Sequence, residues 1–437
     1  MKHLKSKLLA AVVSVNALFS GVAQAAPYNV SVTVDFNKSI AKTTAMTFGS
    51  NADEWTLASN NTNPAFLPQF DNTKITFLRA HGEFIKSWTN STTKSWNADE
   101  INAAYNAFGN RPVTFVQNIP YWPRWMKQDS NGLLDPSEYN NYANFCAQLV
   151  NIVNIQQKRK VQYWEPFNEM DDRYINAGKI NELWIIYNKA AVAMKNMDPT
   201  IKVGGPAANW ENPNFIGSFL KYSLSNIDFV SWHRYLTGNP NISTQTLMSQ
   251  AYYFGDMVNQ IRGLISQYTT RKIPVFLGEY NINYTWNGGE TRNTTIIGAV
   301  WFASVLRGLA ETGADMATQW NLKNDYYGLM NTSFVARPAL TTYRWANKFF
   351  VGTVYKETSN NSNLEVLAVK RADGMRSIAL INKADSNSPA TVAISPTGVG
   401  DAAYKAYALD ANGVTYPAGS SYLRYTVPGM SFVVITF

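Results

Sequence analysis

Between about Thr43 and Trp320 the chain alternates short apolar runs with longer amphipathic segments. Runs of strand length fall at Thr44 to Gly49, Ile75 to Arg79, Pro112 to Gln117, Val161 to Glu165, Ile201 to Gly204, Phe229 to His233, Pro274 to Gly278 and Asp315 to Trp320. Helical periodicity fills most of the intervals, which predicts repeated βα units. Asp135-Pro136-Ser137-Glu138 supplies an N-cap, a proline at the first helical position and early acidic charge before a helix through Gln156. Eight such strands predict an α/β fold, a (β/α)8 TIM barrel, over residues 40–355.

After about Lys356 the texture changes to short alternating strands, such as Leu364 to Val369, Ser377 to Ile381 and Ser431 to Phe437, divided by Asn, Ser, Gly and Pro. Residues 356–437 therefore read as a C-terminal β-sandwich domain. The strand Val30 to Phe36, in the segment 26–39 ahead of the barrel, is expected to join it.

The N-terminus changes the compartment. Lys2, Lys5 and Lys7 precede an apolar stretch from Leu8 to Phe19, and Ala23-Gln24-Ala25 offers a small-residue cleavage site. Residues 1–25 read as a signal peptide cleaved after Ala25, which predicts a secreted or periplasmic protein with no membrane span in its mature form. Cleavage removes three lysines and no acidic residue from a chain of formal net charge +8. The remaining basic residues are scattered, so nucleic acid is not an expected partner. Cys146 is the only cysteine, so no intrachain disulfide can form, and a large core must supply the stability.

Candidate chemistry narrows the class. Only His81 and His233 survive signal removal, and no His-Glu-x-x-His, Cys-x-x-Cys, Gly-x-Ser-x-Gly or Walker loop occurs. Neither a metal site nor a cofactor is expected. Val161-Gln-Tyr-Trp-Glu-Pro-Phe-Asn-Glu169 and Ile273-Pro-Val-Phe-Leu-Gly-Glu279 each end an apolar run on a carboxylate. At the C-terminal mouth of a parallel barrel, Glu169 and Glu279 would form the pair that glycoside cleavage requires. One protonates the leaving oxygen, and the other attacks the anomeric carbon or activates water. A separation of about 5 Å means retention, and about 6.5–9.5 Å means inversion.

Asn168 can donate to a sugar hydroxyl beside the reacting carbon. Arg79 and Tyr235, at other strand ends, could hold Glu279 ionised, and His81 and His233 could orient the same network. Glu165 competes for the acid role, being four residues earlier on the same alternating face, and is expected to be buried or paired with a base such as Arg79. Tyr121-Trp122-Pro123-Arg124-Trp125 follows the third strand, and Trp55, Trp88, Trp96, Trp210, Trp286 and Trp320 fall in or near strand-end loops. Trp122, Trp125, Trp286 and Trp320 are the candidate sugar-stacking rings, while about half of this aromatic set is expected to be structural.

Phe77-Leu-Arg-Ala-His-Gly82, Trp164-Glu-Pro-Phe-Asn-Glu169, Val203-Gly-Gly-Pro206, Val230-Ser-Trp-His-Arg-Tyr235 and Phe276-Leu-Gly-Glu279 together resemble clan A of the glycoside hydrolases. Within the clan, the Arg-x-His-Gly and Ser-x-His-x-Tyr elements are most similar to family 39, whose members include β-xylosidases and endo-acting enzymes on bacterial exopolysaccharides. The resemblance runs from about Asn29 to the C-terminus. It implies that Glu169 is the acid/base, Glu279 the nucleophile, Asn168 a 2-hydroxyl ligand and Trp320 the floor under the sugar. Many relatives have Asn-Glu-Pro, whereas here Met170 follows Glu169 and a proline precedes Asn168.

The expected protein is a secreted retaining endo-β-glycosidase that hydrolyses a polysaccharide, with a bacterial exopolysaccharide as the preferred substrate. An exo-acting β-xylosidase-like enzyme and a non-catalytic glycan-binding protein are the alternatives.

Overall fold

In the barrel, a layer of apolar side chains closes the floor and a polar layer two residues further along each strand builds the site. The computed structural model describes residues 26–52, 63–81, 87–285, 289–399, 404–416 and 423–437. The expected signal peptide, Trp55 and Trp286 lie outside the described residues. The first twelve strands are β1 (Tyr28–Lys42), β2 (Gly49–Ala52), β3 (Phe77–Ala80), β4 (Thr89–Asn90), β5 (Ser95–Trp96), β6 (Thr114–Asn118), β7 (Tyr163–Glu165), β8 (Lys202–Val203), β9 (Gly205–Ala208), β10 (Val230–Thr237), β11 (Val275–Asn283) and β12 (Met316–Gln319).

Parallel pairing runs in the order β8-β7-β6-β3-β2-β12-β11-β10-β9. Only Gly204 separates β8 from β9, which are two halves of the fifth barrel strand, so the sheet is a (β/α)8 barrel. A Cβ at Gly204 would lie 2.5 Å from the Phe229 ring, so that side chain fills the space at the break. The strands end later than their apolar runs: β10 continues to Thr237 and β11 to Asn283. The first strand also starts later than its pattern indicates. Ala45–Phe48 is a 3-10 turn, because the Thr44 hydroxyl accepts from the Met46 amide and the Thr47 hydroxyl from the Thr44 amide. Local capping overrides the alternating pattern there.

Phe77, Val116, Phe229, Phe276 and Met316 form the apolar floor inside the barrel. Two residues on, the same inward face presents Arg79, Asn118, Ser231, Gly278 and Thr318, as the two-residue strand period requires. Four of these positions change from apolar to polar at the same level, the fifth being Gly278, which concentrates hydrogen-bonding groups at the C-terminal end.

The remaining strands are β13 (Thr353–Ser359), β14 (Leu364–Lys370), β15 (Arg376–Asn382), β16 (Ala390–Thr397), β17 (Lys405–Asp410), β18 (Gly413–Thr415), β19 (Arg424–Val427) and β20 (Ser431–Thr436). With β1 they make a sandwich-like sheet in the order β18-β17-β20-β15-β14-β13-β1-β16-β19. β1 runs antiparallel to β13 and parallel to β16, which ties the N-terminal strand to the C-terminal domain. Val30, Val32, Val366, Leu380 and Ile435 fill the interior of this domain. On the opposite face, Leu367, Ile381, Phe432 and Val434 join the barrel's own core. Phe432 meets Trp345 of the helix Pro338–Phe349 at 5.4 Å between ring centroids. Cys146 is fully buried in the helix Tyr139–Val150 and is a core residue. Among the described residues no helix is long and apolar enough to cross a membrane.

Candidate active site

Backbone irregularities aim both carboxylates at one point. Strict alternation along β11 would turn Glu279 outward, since Phe276 faces the floor cluster and Leu277 the surrounding core. A register shift intervenes: Trp232 pairs with Leu277 but His233 pairs with Glu279, leaving Gly278 as a bulge. The bulge brings Glu279 back inside, and Tyr280 takes the outward position against Phe254 and Phe302. A Cβ at Gly278 would lie 3.1 Å from His233 Nε2 and 3.5 Å from Arg79 Nε. Gly278→Ala is therefore expected to cut kcat about tenfold or more while the protein stays folded, as steady-state kinetics beside circular dichroism would show.

Glu169 is not on a strand. β7 ends at Glu165, and Glu169 follows in a loop with φ 48°, a left-handed conformation uncommon without glycine. Its amide donates to Ala207 O at 2.9 Å, and that of Asn168 donates to Pro120 O at 3.1 Å, so neighbouring loops hold the strained turn.

Arg79 organises the site. It is fully buried and donates through Nε to Glu165 Oε2 (2.7 Å), through Nη1 to Glu279 Oε1 (2.9 Å) and Asn51 Oδ1 (3.1 Å), and through Nη2 to Asn168 Oδ1 (2.7 Å). The Asn168 oxygen is thus occupied, which leaves its amide NH2 as the group to offer a ligand. Glu165 is fully buried in the ion pair with Arg79, whereas the Glu169 side chain is partly exposed. Tyr235 Oη donates to Glu279 Oε2 at 2.8 Å. His233 Nδ1 lies 2.7 Å from Glu169 Oε1 and 3.7 Å from Glu279 Oε1. One oxygen of each carboxylate, together with a His233 nitrogen, falls within 4.8 Å of the others.

The same three residues are, among the described residues, a grouping with metal-ligand spacing. Arg79 already sets a permanent positive charge 2.9 Å from Glu279 Oε1, which opposes a divalent ion there.

His81 is a neutral imidazole: burial, and then the nearby Arg79 charge, hold it well below the usual histidine range. Asn118 donates its amide to Glu165 Oε2 and Phe167 O, so its oxygen accepts from His81 Nδ1 at 2.7 Å. That assigns the proton to Nδ1 and leaves Nε2 as an acceptor, 3.9 Å from Glu279 Oε1.

The carboxyls are shifted in opposite directions. Burial raises Glu279, aided by the charge of Glu169 and opposed by His233, Arg79 and the Tyr235 hydrogen bond. Burial also pushes Glu169 upward, but the hydrogen bond and charge of His233, with Arg79, outweigh it and leave Glu169 lowered. A resting acid at Glu169 and an ionised Glu279 require the reverse order. The donor sets favour the assignment from the sequence nonetheless. Glu279 faces the fixed donors Arg79 and Tyr235, whereas Glu169 is lowered chiefly by His233, a titratable imidazole, and less by the Arg79 charge. When the His233 contact opens, burial, the largest influence on Glu169, is opposed by the Arg79 charge alone.

Tyr235→Phe removes a lowering influence from Glu279. The group that must be ionised to attack then holds its proton to higher pH. The acid limb of the kcat/KM profile is expected to move to higher pH, with a roughly tenfold loss at the optimum. An unmoved limb would disconnect Tyr235 from the nucleophile.

A cavity of about 640 Å³ opens at this face and is lined by His81, Asn168, Glu169, Tyr235, Glu279 and Trp320. Trp320 is 6 % exposed and meets His81 edge-on at 5.3 Å. Trp122 and Trp125 do not line it. Trp122 is buried, crosses Tyr142 and Tyr174 edge-on and donates to Gly132 O, so it is a core residue. Trp125 packs edge-on against Phe145. The apolar content of the helix after the third strand draws both rings inward. Asp172, Asn209, Trp210, Arg234 and Tyr284 complete the lining. Of these only Trp210 stood out in the sequence, although Asn209 and Tyr284 also follow barrel strands.

A (β/α)8 barrel with two carboxylates whose nearest oxygens lie within 4.8 Å at its C-terminal mouth fits the close carboxylate pairs of retaining glycosidases better than the wider pairs of inverting ones. Comparison with known proteins narrows the class: the model of glycosyl hydrolases family 39 matches residues 129–390, and the chain belongs to that family. A β-xylosidase of Geobacillus stearothermophilus is 23% identical over 295 residues, covering 61% of this chain and 55% of that protein. A β-xylosidase of Caldicellulosiruptor saccharolyticus is 26% identical over 156 residues, covering 33% of this chain and 31% of that one. The chain thus spans about half the length, or less, of these curated relatives. Among solved structures, a GH39 enzyme from Xanthomonas axonopodis pv. citri superposes with a TM-score of 0.70 at 15% identity, covering 94% of this chain and 97% of that one. An α-L-arabinofuranosidase from Thermotoga maritima superposes at 0.71 with 16% identity, covering 94% and 100%. These superpositions show the shared fold.

Proposed function

We propose that the protein is a retaining β-glycosidase that cuts within a polysaccharide chain, with a bacterial exopolysaccharide as its preferred target, working outside the cytoplasm. The observation that carries the glycosidase reading is the approach of Glu169 and Glu279 to within 4.8 Å, with Arg79 and Tyr235 both donating to Glu279. Glu279 attacks the anomeric carbon as the bond from that carbon to the leaving oxygen breaks, and Glu169 gives its proton to that oxygen. Glu169, now ionised, takes a proton from water, whose oxygen attacks the same carbon and frees Glu279. Two inversions give net retention, and Glu169 ends protonated as it began. Asn168, turned by Arg79, offers its NH2 to the hydroxyl beside the reacting carbon.

The names of the curated relatives favour a second reading, an exo-acting β-xylosidase. Size-exclusion profiles of purified exopolysaccharides and xylan, incubated with wild type and with Glu279→Gln, separate the two. A rapid fall in polymer length with wild type only supports internal cutting, and release of monosaccharide at nearly constant polymer length supports the exo reading. Proton NMR of the first product should show the β-anomer. An α-anomer would overturn the retaining mechanism.

A further inference from the structure

Beyond the reacting sugar, the cavity carries an aromatic wall that the catalytic network does not use. Trp210 and Tyr284 line it and are 44% and 60% exposed, unusual for rings so large. Trp210 follows β9 and Tyr284 follows β11, so the two flank the end of β10, which carries Arg234 and Tyr235. The Trp210 segment is tied to the Glu169 loop: the Asn209 amide donates to Asp171 Oδ2 at 3.0 Å, and Asn209 Nδ2 to Asp172 Oδ2 at 2.8 Å. Tyr284 is placed as deliberately. Its amide donates to Thr237 O at 3.2 Å, and its ring occupies the space where a Cβ on Gly238 would come within 2.2 Å. Between them Arg234, about 30% exposed, is held by Glu211 through a 3.1 Å ion pair.

Resting on the glycosidase reading, we propose that Trp210, on the Glu169 side of the cavity, and Tyr284, across the end of β10, form a leaving-group subsite, a second sugar site with Arg234 as its polar contact. An acid must reach the leaving oxygen, so the departing unit lies along the wall that holds Glu169. On that wall Trp210 is the exposed flat ring. Stacking uses the apolar face of a pyranose at little cost in side-chain entropy, and a guanidinium fixed by a carboxylate offers its remaining N–H groups to hydroxyls at the edge of the ring. The subsite would favour a glycosyl leaving group over a small one, and it would hold an acceptor sugar against the covalent intermediate.

The test compares substrates that share a reacting sugar but differ in the leaving group: β-xylosyl, β-glucosyl and β-galactosyl fluorides against the corresponding β-linked disaccharides. Fluoride is too small to reach Trp210 or Tyr284. Trp210→Ala and Tyr284→Ala should lower kcat/KM for the disaccharide at least tenfold further than for the fluoride. Trp210→Phe should recover part of the loss. Gly238→Ala, which displaces the Tyr284 ring, should reproduce the Tyr284→Ala pattern. With fluoride as donor and free disaccharide as acceptor, both alanine variants should shift products from transfer toward hydrolysis. Equal losses on both substrate types, with an unchanged transfer ratio, would overturn the subsite and leave the glycosidase reading standing. No turnover of any fluoride or disaccharide by wild type, together with unchanged size-exclusion profiles on every polymer, would sink the reading on which it rests.

Discussion

Glu279→Gln is expected to abolish turnover, lowering kcat by at least about 10⁴, while glycan binding and the fold persist. The amide keeps the shape of the carboxylate and an oxygen for Arg79, with its NH2 able to donate to the Tyr235 hydroxyl, but it cannot form the covalent ester. Glu169→Ala should behave differently. Its loss should be greatest for substrates with poor leaving groups, since a good leaving group departs without a proton. The small anion azide, which needs no general base, should restore turnover by attacking the intermediate and give the β-glycosyl azide. If azide rescued Glu279→Ala with an α-product instead, the roles would stand. A β-azide from that variant would reverse them. Ordinary activity in Glu279→Gln would discard the nucleophile assignment, whereas glycan binding without turnover in wild type would restore the glycan-binding alternative.

Arg79→Met should destabilise the fold by about 3–5 kcal/mol, the usual effect of removing one partner from a buried ion pair. Here Glu165, fully buried, and Glu279, about 7% exposed at its side chain, would both lose their cation. The loss should lessen at low pH, where Glu279, already raised by burial, takes up a proton. Urea denaturation at two pH values measures it. Activity should fall beyond what the folded fraction explains, because Asn168 loses the bond that turns its amide and Glu279 loses a donor. Arg79→Lys would retain charge but not the four-acceptor fork, and should recover stability better than activity. A fully active and stable Arg79→Met would remove this residue from the centre of the site.

The chemistry was legible because its groups are rare and punctuate apolar runs. A carboxylate ending Phe276-Leu-Gly-Glu279 and an arginine ending Phe77-Leu-Arg79 contradict the burial expected of such runs, and each contradiction marked the barrel mouth. The pairing of Arg79 with Glu165 followed from the same reasoning. Element boundaries were less legible: the 3-10 turn at Ala45–Phe48 depends on two hydroxyls accepting from the Met46 and Thr44 amides, which hydrophobic periodicity does not report. The tryptophans were least legible. Trp122 and Trp210 both follow strands in loop-like sequence, yet one is 2% and the other 44% exposed.

What the sequence by itself determined was the inventory: eight apolar runs with a helical period between them, a β-rich C-terminal segment, two carboxylates at run ends, and motifs similar to family 39. Strand and helix periods are local, so they survive in a one-dimensional pattern. Only the tertiary structure decided that the Gly278 bulge turns Glu279 inward, that Glu169 hangs in a left-handed loop against His233, and that Trp210 and Tyr284, rather than Trp122 and Trp125, face the cavity. Those outcomes depend on which surfaces remain after helices and sandwich have packed, and that competition for burial is settled between segments far apart in the chain.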